Sequence, residues 1–106
     1  MAEHVSPRVN AARLGDFIGR TVRLTCKVVR SQGETAIVQA PDGGELSVRV
    51  ARDVSLAVPY IEIIGTVVDA ATVKMLACID LGDELDMDLV NDAVELWHDP
   101  RFANII

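Results

Sequence analysis

The chain has 106 residues, the length of one domain, and half of them are apolar, so a core can form without disulfide or metal staples. A net charge of −6 argues against autonomous nucleic-acid binding, which is driven by neutralising phosphates with Lys and Arg. No apolar run reaches the ~20 residues of a membrane span, and residues 1–10 are polar and contain Pro7, so no signal peptide is expected.

In chain order, residues 1–9 read as a flexible tail. Asn10 then fits a helix N-cap, with Val9 and Leu14 as a hydrophobic staple and Gly19 as the stop. Residues 11–18 should form a short helix burying Leu14, Phe17 and Ile18. Residues 21–30 alternate, with Val22, Leu24, Cys26 and Val28 on one face and Arg23, Thr25 and Lys27 on the other, as in a half-buried strand. A turn at Ser31-Gln32-Gly33 leads to a second strand over 34–40. Pro41-Asp42-Gly43-Gly44 is a strong hairpin turn, and 45–50 alternates again with Leu46, Val48 and Val50 inward. Residues 51–59 break the pattern and read as a connection. The strand over 60–69 is the most apolar, and Gly65 inside it suggests a bulge or barrel-corner bend. A tight turn at Asp69-Ala70-Ala71 precedes a fifth strand over 72–81. Residues 82–85 link it to a final helix. Cys26 and Cys78 each lie in an apolar strand, which points to core packing in a reducing compartment rather than to a disulfide.

Three strands as a meander, a long connection and a two-strand hairpin fit an all-β fold: a five-stranded Greek-key OB barrel with a short N-terminal helix and a C-terminal amphipathic helix. An SH3-like barrel also has five short strands. The bend at Gly65 and the long first strand favour the OB type. The chain thus divides into a tail (1–9), a barrel with its N-terminal helix (10–85) and a C-terminal helix and tail (86–106).

The final helix, 86–99, is the most informative segment. At about 100° per residue, Met87, Leu89, Val90, Ala93, Val94, Leu96 and Trp97 fill half of the circumference, whereas a surface helix needs a stripe of roughly 100°. Asp86 is a natural N-cap, Leu85 and Val90 form a staple, Asp88 suits the positive end of the dipole, and Pro100 stops the helix. The wheel alone leaves two readings open: a helix closing its own core, or one offering a spare apolar flank to a second helix.

Catalytic chemistry has no candidate residues. His4 lies in the tail and His98 at the helix end, and neither is placed as a base against a nucleophile. The acidic run Asp80, Asp83, Glu84, Asp86 and Asp88 lacks the loop and terminal Glu of a calcium site, and two cysteines do not make a zinc site. No cofactor or metal is therefore expected, and no enzymatic activity. OB barrels bind single strands with a basic groove and aromatic platforms on strands two and three. Those strands and loops carry no aromatic residue, since the four in the chain are Phe17, Tyr60, Trp97 and Phe102. Arg23, Lys27, Arg49 and Lys74 could share an outward face and touch phosphates, but an ordinary mixed-charge surface is the preferred reading.

Taken together, Arg8-Val9-Asn10-Ala11 with Leu14 and Phe17-Ile18-Gly19, Ile63-Ile64-Gly65-Thr66-Val67, and Asp88-Leu89-Val90-Asn91-Asp92-Ala93-Val94 with His98-Asp99 and Phe102 make the chain, from about Pro7 to Phe102, resemble the smallest subunit of the eukaryotic replication protein A heterotrimer. The resemblance implies a nuclear, non-enzymatic structural subunit of a complex that binds single-stranded DNA in replication, repair and recombination. It implies large and middle subunits as partners, joined through a three-helix bundle, with little or no direct DNA contact and no membrane. Carried onto this chain, Leu89, Val90, Ala93, Val94, Leu96 and Trp97 are divided between the chain's own barrel and those partners, with Val90, Ala93, Val94 and Trp97 expected to face the partners. Trp97 is larger than the resemblance implies there. The alternative is an OB module that itself contacts single-stranded nucleic acid through the four basic residues.

Overall fold

A computed structural model describes residues 6–51, 54 and 56–99. A short helix, α1 (Ala11–Leu14), leads into five strands, β1 (Thr21–Gln32), β2 (Thr35–Gln39), β3 (Glu45–Arg49), β4 (Tyr60–Asp69) and β5 (Thr72–Gly82), and then into the final helix α2 (Met87–Trp97). The strands close in the order β1-β2-β3-β5-β4, with β4 returning to β1. All neighbours are antiparallel except β3 and β5, whose short parallel seam runs from the pair Ser47 and Thr72 to the pair Arg49 and Lys74. This is the OB arrangement, and closure leaves no long strand edge open to other chains.

The alternation of each strand sets the core. Val22, Leu24 and Cys26 of β1, Val38 of β2, Leu46 and Val48 of β3, Ile61, Ile63 and Val67 of β4, and Val73 and Met75 of β5 are all buried in one cluster. Val54, Leu56 and Val58 of the β3–β4 connection pack against it from one end. Burial pushes the Cys26 thiol pKa far up, and both cysteines are free thiols.

Gly65 marks a break in the β4–β5 register. Thr66 pairs with Lys74 and Gly65 with Met75, but Ile64 pairs with Ala77, so Leu76 is left over as a bulge. A Cβ on Gly65 would strike the carbonyl oxygen of Lys74 and lie 2.7 Å from Val73 Cγ1, so only glycine permits this approach.

Two expectations need correcting. The tail is ordered from Pro7 onward. β2 pairs with β1 only from Lys27 to Gln32, so the β2-side edge of β1 is open at Arg23. Residues 7–9 fill it: the Arg23 amide donates to the Pro7 carbonyl (2.8 Å), and the Val9 amide donates to the Arg23 carbonyl (3.0 Å). Val9 is completely buried. Second, the helix expected over 11–18 is one α-helical turn followed by a 3-10 turn, Gly15–Phe17. Gly15 is a poor helix former, and the tightening leaves Ile18 55% exposed rather than buried. Asn10 does cap α1, accepting from the Arg13 amide at 3.1 Å, and Gly19 turns the chain with φ +84°. The carboxylate of Asp42, in the β2–β3 turn, accepts from the amides of Ala11 (3.1 Å) and Ala12 (3.0 Å), fastening α1 to that turn.

Candidate partner-binding site

α2 begins where Gly82 (φ +96°) turns the chain away from β5. Asp86 caps it, accepting from the Leu89 amide at 3.1 Å, and Asp88 occupies the first turn, where the dipole favours an anion. The expected stop at Pro100, together with Phe102, lies outside the described residues, as does His4.

The helix meets the barrel along a polar edge. The Asn10 amide donates to Asn91 Oδ1 and to Glu95 Oε2, both at 2.8 Å. Arg13 grips the same Glu95 in a two-pronged pair, Nε to Oε2 at 2.9 Å and Nη2 to Oε1 at 2.7 Å. One turn on, His98 Nε2 donates to the Arg8 carbonyl at 2.6 Å, with its ring against Phe17 (centroids 5.8 Å apart) and Trp97 (5.1 Å). Asn10 is only 2% exposed, so its capping oxygen and donating amide are both fully used. The Arg13 hydrogen bonds, and next those of Asn10, hold the Glu95 carboxyl down to about 2. The same contact raises the Arg13 pKa. Sequence reasoning missed this clamp, although Asn91 and Glu95 stand one turn apart on the polar face and could have been flagged as a docking pair.

The polar edge sets the azimuth of the apolar arc. Val94, beside the clamp, is 2% exposed. Assigning it to partners is therefore corrected: its place on the wheel, next to Asn91 and His98, turns it onto the chain's own barrel. Leu89 and Leu96 are 65% and 54% exposed, Ala93 is also exposed, and Val90 and Trp97 are half-buried. At ~100° per residue these five are centred roughly 150° from the docking edge. An open groove of about 340 Å³ runs along the flank of α2, lined by Leu81, Leu85, Val90, Ala93 and Val94, with Arg8, Thr25 and Glu62 at its polar end.

The four basic candidates do not form one patch. Arg23 donates to Glu62 at 3.1 Å, and Lys27 Nζ lies 5.9 Å from the centre of the Tyr60 ring, both on the β1–β4 side. Arg49 and Lys74 are register partners on the β3–β5 seam. The outer face of β2 and β3 presents Thr35, Ile37, Gln39, Glu45, Ser47 and Arg49, with no ring on which a base could stack. Among the described residues no three His, Cys, Asp or Glu side chains come together as a metal site, and no helix is long and apolar enough to cross a membrane.

Comparison with known proteins adds to this geometry. The family model described as Replication factor A protein 3 matches residues 1–102. The chain is 30% identical over 97 residues to Replication factor A protein 3 of Schizosaccharomyces pombe, covering 91% of each protein. It is 32% identical over 78 residues to the Replication protein A 14 kDa subunit of Oryza sativa subsp. japonica, covering 74% of this chain and 73% of that one. Among solved structures it superposes on a chain of U. maydis Replication protein A bound to ssDNA with TM-score 0.83 at 26% identity, covering 86% and 87% of the two chains. It also shares the fold of the telomere capping protein Ten1 from Schizosaccharomyces pombe (TM-score 0.68, 14% identity, 86% and 95% covered).

Proposed function

The chain belongs to the replication factor A protein 3 family, and from that premise we propose that it is a structural subunit of a nuclear replication protein A heterotrimer. In this reading it has no enzymatic activity. It supports single-stranded DNA binding in replication, repair and recombination by holding the large and middle subunits together, with α2 contributing one helix of a three-helix bundle. Joining DNA-binding subunits makes the second contact with a strand intramolecular and so raises avidity without any new contact to DNA.

The observation that carries the proposal is the orientation of α2. The helix is held to its barrel by Asn10, Arg13, Asn91, Glu95 and His98, while Leu89, Ala93 and Leu96 face solvent. An apolar face of this size on a helix rimmed by acids is the mark of an interaction surface. The two flanks of that face, Leu89 with Leu96 and Val90 with Trp97, meet at the small Ala93. This suits a helix that touches two others at once. Removing residues 86–106 should leave a folded barrel that no longer co-purifies with the two larger subunits. Normal trimer assembly by the truncated chain would overturn the proposal.

A further inference from the structure

The N-terminal strand segment that lies on β1 carries a serine beside a receiver for phosphate, a feature that trimer assembly does not use. We propose that Ser6 is a phosphorylation site for a proline-directed protein kinase, and that its phosphate is received within the same chain by Arg8 and Arg23, latching residues 7–9 onto β1.

Three observations carry it. The first is the sequence. Ser6 stands directly before Pro7, and the other three prolines follow Ala40, Val58 and Asp99, so Ser6-Pro7 is the only hydroxyl–proline dipeptide of the chain. Proline-directed kinases take this dipeptide because the ring fixes φ and removes the amide hydrogen. The second is register. Arg8 bridges Arg23 in parallel, with the Arg23 amide donating to the Pro7 carbonyl and the Val9 amide to the Arg23 carbonyl. Pro7 and Val9 are buried, so alternation puts Ser6 and Arg8 together on the outer face, about 7 Å apart along the strand. The neighbouring outward positions are uncharged: Thr21 of β1 pairs with Thr66 of β4, and Lys74 of β5 stands beyond.

The third observation is charge. Arg23 Nη1 lies 3.1 Å from Glu62 Oε1, and Arg8 Nε lies 3.8 Å from Glu62 Oε2. Two guanidinium groups share one carboxylate, which leaves one positive charge to spare. The Arg8 side chain is 52% exposed and can turn to a phosphate while Arg23 keeps Glu62 paired. A phosphoserine brings a charge of roughly −1.5 to −2 and three acceptor oxygens, which a guanidinium takes two at a time. The segment can also open, since two main-chain hydrogen bonds and the burial of Val9 hold it to β1. Once lifted, it offers Ser6 to a kinase cleft. There Ser6 Oγ attacks the terminal phosphorus of ATP and an O–P bond forms. The bond from that phosphorus to ADP breaks with its electron pair leaving on ADP, and the hydroxyl proton passes to the kinase's base. On closing, the phosphate meets Arg8 and Arg23. The Arg8 carbonyl receives His98 Nε2, and Asn10 donates to Asn91 and Glu95, so a latched segment also steadies the seat of α2.

The test uses the full chain with ATP, magnesium and two proline-directed kinases in turn, one mitogen-activated and one cyclin-dependent. At least one should place a phosphate on Ser6, located by mass spectrometry, and none at that position in S6A. For the latch, phosphoserine is encoded genetically at position 6 and amide hydrogen exchange is followed by NMR. The Val9 and Arg23 amides should exchange roughly threefold more slowly, or slower still, than in the unmodified chain, and the gain should shrink as salt rises. The same comparison of modified with unmodified chain is made within R8Q and within R23Q, where the gain should be smaller. Because each comparison stays within one variant, any cost of the substitution to the fold cancels. Absence of phosphate on Ser6 with both kinases overturns the site. Exchange that is unchanged or faster with phosphoserine, or a gain that persists undiminished in both arginine variants, overturns the latch.

Discussion

Leu89 and Leu96 provide the sharpest test of the trimer reading, because they are the most exposed large apolar side chains of α2. Burying a whole leucine side chain contributes about 1.5–3 kcal/mol. The exposed shares here, 65% and 54%, together amount to a little more than one such side chain still available for burial. Shortening both to alanine should therefore cost association about 2–3 kcal/mol, roughly 30- to 150-fold in Kd at about 1.4 kcal/mol per tenfold. The folded chain should be unaffected or slightly more soluble, since two exposed apolar side chains are removed. Isothermal titration of the isolated chain, parent or L89A/L96A, into a complex of the two larger subunits measures the change, with thermal melts as the control. Val94→Ala, by contrast, removes a side chain buried against the barrel and should lower the melting temperature itself. Parent-like affinity for L89A/L96A would refute the reasoning that this face is held open for partners.

Further outcomes follow from the clamp, the bulge and the barrel surface. The carboxyl of Glu95 is held down to about 2, below its usual value of about 4.3, so its contribution is fully present above that usual value and is lost as pH falls towards 2. Melts between pH 5 and 2 should show E95Q losing less stability than the parent; because this pair is partly solvent-exposed, the difference should stay within about 1 kcal/mol and shrink in high salt. Identical pH profiles would mean that the Arg13 pair is not formed in solution. G65A drives a methyl group into the Lys74 carbonyl and should cost about 1–3 kcal/mol, lowering Tm by roughly 5–20 °C; an unchanged Tm would show that the register break tolerates a side chain. The isolated chain should show no salt-dependent binding to oligothymidine, and R49E/K74E should leave DNA binding by the whole complex unchanged. Binding by the isolated chain that R49E/K74E abolishes would instead establish the barrel as a nucleic-acid module in its own right.

How much of this was legible in the sequence depends on the range of the interactions concerned. The strands were legible because period-2 alternation is local: Val22, Leu24 and Cys26 announce an inward face without reference to any other strand. Gly65 was legible as a bend, but its consequence was not. Which residues of β5 face outward depends on where the slip falls in the pairing with β4, and that is a property of two strands together. Pro7 to Val9 read as a tail because their partners, the amide and carbonyl of Arg23, are backbone groups open only because β2 stops short of them. The wheel of α2 showed the width of the apolar arc but not its azimuth. That was set by Asn10 and Arg13, some eighty residues away, and it moved Val94 from the expected partner face to the barrel.

The same azimuth explains why a polar clamp holds the helix. A helix docked by its leucines would use on its own barrel the surface that association needs, and any gain in the stability of the free chain would be lost again on assembly. Asn91, Glu95 and His98 avoid that competition. Their hydrogen bonds each contribute little net free energy, about 0.5–1.5 kcal/mol apiece, but they are directional and set the rotation of α2 about its axis. Val94 is the one fully buried apolar side chain of α2. The free chain therefore presents Leu89, Ala93 and Leu96 already oriented, so a partner helix does not have to order α2 on binding, and the entropy cost of association falls accordingly.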